Sequence, residues 1–251
     1  MPDEPQRRHA FAGVSALLFV GSAAVTVAWC RSMAEMGEVA MPGGWTLSMA
    51  WMPMCGQSWA AAAASFIGMW VVMMVAMMLP SLAPLLWRHR PMAAVAAGAG
   101  YFFVWTALGA MIFALGAAFA EAAMRVPSLA RVVPSTLALV VLLAGVFQFS
   151  TYKARHVAHC RPVTQLHCAT PANTLAALGY GARLGLHCSI ACAGLTTILL
   201  VIGVMDLRAM AVIAAAITAE RLAPHGERVA WAIGGVSIMT GVYLMGQAAW
   251  R

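Results

Sequence analysis

The chain has 251 residues, of which 63% are hydrophobic and only 9% charged, and its net charge is +7. Soluble domains carry about 25% charged residues, so a soluble enzyme domain, a disordered tail and a secreted disulfide scaffold are excluded. Long apolar runs exclude a β-barrel, and the lack of a basic run interleaved with aromatics speaks against nucleic-acid binding.

The composition leaves an all-α, polytopic transmembrane helix bundle. A helix needs about 20 apolar residues to cross a bilayer. In chain order the spans are predicted over 11–29, 60–87, 92–118, 135–152, 184–204, 209–223 and 229–250. That gives seven spans, or six if the first is removed as a signal peptide. Thr26 and Ala28 make a weak cleavage site, so the first run is kept. Residues 1–251 read as one integral membrane domain. Its two long connections are a Met-rich loop over 31–58 and a Cys/His-bearing loop over 153–183.

Basic residues orient the spans. With the N-terminus inside, ten basic residues fall on the inner side and five on the outer. The predicted orientation therefore has a cytoplasmic N-terminus, with 31–58 outside and 153–183 inside. Gly181 and Gly185 form a small-xxx-small pair suited to close helix approach.

Methionine is unusually abundant, at 19 residues. Thioether sulfur is a soft, neutral donor that suits Cu(I). Met49, Met52, Met54 and Cys55 lie in the outer loop, with three sulfurs inside Met52-Pro53-Met54-Cys55. On the second span Met69, Met73 and Met77 recur at helical spacing, and Met74 and Met78 form a neighbouring row. Core packing accounts for a helical methionine stripe just as well, since Met fills irregular gaps.

Cysteine and histidine form two further groups. His156, His159, Cys160, His167 and Cys168 cluster on the inner side, and His156 and Cys160 would share a face if the fourth helix continued. In the fifth span His187 adjoins Cys188, and Cys192 follows one turn later. Cysteine in a membrane helix is often a small apolar residue, but an imidazole at membrane depth needs a partner. A shared soft-metal site from His156, Cys160, Cys188 and Cys192, with His187 as a further donor, is expected. Glu220 and Arg221 read as a local ion pair. No nucleophile–base pair or phosphate loop is found, so no catalytic residue is assigned and the chain does not read as an enzyme.

The motifs resemble those of bacterial predicted metal-binding integral membrane proteins, a group labelled as a domain of unknown function. The resemblance rests on Met69-Trp70 through Met73-Met74, Met77-Met78 and Pro80. It continues in Gly145, Gln148, Thr151, Lys153 and Cys160-Arg161-Pro162, then in Gly185, Cys188, Cys192 and Gly203, and ends in Glu220 ahead of Pro224. The chain departs from the group's pattern at three places. His156 stands at a usual cysteine, Ala191-Cys192 at a double cysteine, and Arg221 at a usual lysine. The resemblance implies metal handling in a bacterial inner membrane, with copper as the ion.

Two functional readings follow. One is a copper-binding or copper-trafficking membrane protein, working with the lipid bilayer and with a metallochaperone or membrane enzyme complex. The alternative is a non-catalytic accessory subunit packed against a larger membrane enzyme. The orientation is tested with a membrane-impermeant thiol reagent added outside, which is expected to reach Cys55. Labelling of Cys160 or Cys168 without Cys55 would invert the topology.

Overall fold

Several helices start where a side chain satisfies free N–H groups. Ser58 accepts from Ala61 N at 3.2 Å, Asn173 from Ala176 N at 2.8 Å, and Asp206 from both Arg208 N and Ala209 N. Pro91 and Pro127 sit at the first positions of two others, where a missing N–H costs nothing. The computed structural model describes residues 4–35, 37–53, 56–161 and 173–250.

Among these the chain forms eight helices: α1 (Glu4–Glu35), α2 (Trp59–Leu86), α3 (Pro91–Arg125), α4 (Pro127–Phe147), α5 (Thr151–His159), α6 (Thr174–Ile202), α7 (Leu207–Leu222) and α8 (Gly226–Ala249). Six of them, α1, α2, α3, α4, α6 and α8, are long and apolar enough to cross a membrane. The short sixth segment of the sequence reading, α7, has 16 residues. At 1.5 Å per residue it spans about 24 Å, less than the hydrocarbon core.

Several boundaries differ from the sequence reading: α1 runs over Glu4–Glu35, α3 runs on to Arg125, and α4 starts at Pro127 rather than 135. The fourth helix does not run to Tyr152. It stops at Phe147, and Ser150 starts a new helix by accepting from Tyr152 N at 3.1 Å. His156 and Cys160 therefore lie on and just after the separate α5, not on a continuation of α4. The fifth helix begins at Thr174, ten residues early, which puts Cys188 and Cys192 deep in α6. The connection 31–58 is partly regular. After α1 it holds an antiparallel hairpin of β1 (Glu38–Met41) and β2 (Trp45–Ser48), in the register Glu38↔Ser48 to Met41↔Trp45, and then a single 3-10 turn at Met49–Trp51. Gly43 and Gly44 supply the positive φ of the hairpin turn. Trp45 Nε1 ties the hairpin to α4 by donating to Ala130 O at 2.8 Å.

The core is built on backbone-to-backbone contact of α3 with α6. A Cβ on Gly100 would collide with the Leu178 carbonyl, one on Gly181 with the Ala97 carbonyl, and one on Gly185 would sit 2.9 Å from Tyr101 O. The three glycines remove the side chains that would hold the helices apart. Helix α2 packs against α1, α3 and α7, α5 packs against α6, and α8 packs against α4 and α7. Gly181→Ala is expected to lower stability by about 1–3 kcal/mol through overpacking, read as a lower unfolding midpoint in detergent. Gly179→Ala has open space at its Cβ and serves as the control.

Candidate metal centre

The close α3–α6 contact carries Tyr101 onto Cys188. The Tyr101 hydroxyl lies 2.7 Å from Cys188 Sγ, and both side chains are fully buried. Cys192, one turn further along α6, shares that face. Between the two sulfurs stands Arg221, near the end of α7 and only 4% exposed. Its Nη2 donates to Cys188 Sγ at 2.7 Å and to Cys192 Sγ at 2.9 Å, while Nη1 donates to Ser81 Oγ at 3.0 Å. Met78 on α2 completes the cluster, with its Sδ 3.9 Å from Cys188 Sγ. Two residues on, Pro80 has no N–H, so the Ala76 carbonyl loses its intrahelical partner beside Met77 and Met78.

Charged groups also face the other side of α7. Glu220 does not pair with its neighbour Arg221. Both its oxygens accept from Lys153 Nζ at 2.7 Å, and Gln148 Oε1 accepts from the same ammonium. Lys153 is 2% exposed, so it and Arg221 are interior groups rather than loop charges. Consecutive helix positions point about 100° apart, so the adjacent acid and base serve different partners. Arg161, beside Cys160, caps α7 by donating to the carbonyls of Ala223 and Pro224.

The structure treats the candidate ligands from the sequence unevenly. Cys160 is buried in the same core cluster as Cys188 and Cys192 and lies within electrostatic reach of Arg221 and Cys188. Burial pushes its thiol up to about 12 against the pull of Arg221, so it is a neutral thiol. His156 is half-buried on α5 with Nδ1 against Tyr152 O at 2.9 Å. Its ring centre is 5.1 Å from that of His187, and His159 stacks on His187 at 4.4 Å. The buried Nδ1 of His187 has no hydrogen-bond partner among the described residues. Thus the histidines gather beside α5 while the cysteines gather around Arg221. Among the described residues no three His, Cys, Asp or Glu side chains are arranged to hold a metal ion. A site of three soft donors among the described residues would therefore draw on methionine sulfur as well.

Methionine sulfur is present at both ends of α2. Met69, Met73, Met74, Met77 and Met78 are all buried. Towards the hairpin, Met49 and Met52 line a cavity of about 30 Å³ together with Met33, Met69 and Met205. Met54 and Cys55, like His167 and Cys168, lie outside the described residues. Met33, one of the methionines the sequence assigns to the outer connection, lies at the end of α1, and Met205 comes from the α6–α7 connection, so only the fold brings the two to one cavity. Sequence reasoning missed Tyr101, Ser81 and the role of Arg221. The available signal was a glutamate and an arginine side by side in a short apolar segment, where each charge needs its own buried partner.

Residues 67–244 match the PpoB2 family, described as a copper chaperone. The chain belongs to that family. No curated protein and no solved structure matches it. The matched region contains the cysteine pair, Met69 to Met78, Lys153, Glu220 and Arg221, but neither α1 nor the hairpin. A two-thiol, one-thioether set is chemically suited to the family's ion, because soft sulfur donors select Cu(I).

Breaking the Lys153–Glu220 pair strands a buried ammonium. Glu220→Gln is expected to cost about 3–5 kcal/mol. Combining it with Lys153→Met should restore most of that loss, both read by thermal unfolding in detergent.

Proposed function

We propose that this protein is a membrane-embedded Cu(I) chaperone whose central cargo site is Cys188, Cys192 and Met78. The observation that carries the reading is the placement of two buried cysteine sulfurs on one guanidinium with a thioether beside them. Membership of a copper-chaperone family and six apolar helices of bilayer-crossing length support it.

Copper is the substrate here. Neutral thioethers bind it loosely enough to exchange, and thiolates hold it more tightly. Met49, Met52, Met54 and Cys55, with Met33, Met69 and Met205, would collect Cu(I) at the hairpin end. Met73 and Met77 lie on the helix that joins that end to Met78, about 13 Å from Met69 along α2. Cys188 and Cys192 would hold the ion, and His156, Cys160 and His187 would take it up on the α5 side. In this reading the chain lies in a bacterial inner membrane with its N-terminus in the cytoplasm, and a metallochaperone or membrane enzyme exchanges the ion with it.

The test is copper content and Cu(I) affinity of the detergent-purified protein under reducing conditions. Cys188→Ser with Cys192→Ser is expected to weaken Cu(I) by more than the roughly 10–100-fold that outer-shell changes cost. Met78→Leu should produce a smaller loss at the same apolar volume. Equal Cu(I) binding by the double variant and the parent would overturn the central site.

A further inference from the structure

The environment of the cysteine pair holds one unbalanced charge. Around the two sulfurs the structure places Met78 and Ser81 from α2, Tyr101 from α3 and Cys160 after α5. None of these side chains carries a permanent charge. The nearby Lys153 and Glu220 neutralise each other. Arg221 is thus the one permanent charge that faces the sulfurs from the described residues, and it touches both. Its guanidinium is fixed on the far side by Ser81, so it is positioned rather than merely present.

We infer that Arg221 makes this a site for monovalent soft cations, acting as the fixed counter-charge of a two-thiolate complex. The inference rests on the cargo site proposed above and adds a rule of selection to it. Two thiolates with one monovalent cation carry one negative charge, which the guanidinium balances within hydrogen-bond reach. Two thiolates with a divalent cation are neutral and leave Arg221 as an uncompensated charge in an apolar interior, which is strongly unfavourable. Softness alone does not separate Cu(I) or Ag(I) from Cd(II), which thiolates also bind well. The charge count does. Arg221 is a positioning residue, since it acts through the sulfurs and is not itself a ligand.

The experiment uses the full-length protein in detergent with Ag(I) and Cd(II) as probes. Cd(II) bound to thiolate is read directly by its ultraviolet charge-transfer band, and Ag(I) by its displacement of that band. The parent is expected to prefer Ag(I). Arg221→Gln and the apolar Arg221→Leu, which adds no sulfur donor, should move the Ag(I)-to-Cd(II) affinity ratio towards Cd(II) by roughly tenfold or more, because the buried charge that disfavours the divalent complex is gone. Arg221→Lys keeps the charge and should keep the parent's ratio. An unchanged ratio in a folded Gln or Leu variant would overturn the inference, and so would a Lys variant that follows Gln rather than the parent. Failure of the parent to bind either ion at Cys188 and Cys192 would instead overturn the cargo site itself, so the two ideas fail separately.

Discussion

A guanidinium in an apolar bundle must be met by acceptors on every side, because an unpaired buried charge is among the most destabilising features a fold can carry. Arg221 meets that demand with three groups from two other helices: Ser81 of α2 and the sulfurs of Cys188 and Cys192 of α6. Much of the packing is arranged around it. The glycines of α3 and α6 let two backbones touch, and the same contact delivers the Tyr101 hydroxyl to Cys188. Had Gly181 or Gly185 carried a side chain, α3 would stand further away and the cysteine would lose that partner.

The second buried cation, Lys153, explains why α4 ends where it does. An uninterrupted helix through residue 160 would fix the direction of Lys153 relative to α4. Instead the chain breaks at Gln148–Ser150, and α5 packs against α6. From there Lys153 reaches Glu220 on α7, and the turn following α5 buries Cys160 beside the other two thiols. One face of α7 therefore answers α5 and the other answers α6.

The two ends of the bundle differ in chemistry. The hairpin end offers five thioether side chains around a small cavity, without a charge among its lining residues. The α5 end offers thiols, imidazoles and paired ions. In the proposed reading a soft monovalent cation would meet thioethers at the hairpin end and cysteine sulfur further along α2.

The class of fold and the apolar segments were legible in the sequence, because they depend on composition and on local periodicity. Met69 through Met78 were legible as a buried row, and Cys188 and Cys192 as partners on one face, since helical spacing alone fixes both. Gly181 and Gly185 were legible as a close-contact pair for the same reason. The sequence did not reveal that Ser150 interrupts an apolar run, because Phe147, Phe149 and Tyr152 continue the pattern across the break. Nor did it reveal that Arg221 turns away from Glu220 towards α6. That choice belongs to the tertiary structure. Two adjacent opposite charges look self-sufficient in one dimension, but on a helix they diverge, and only the positions of α5 and α6 decide which buried group each one finds.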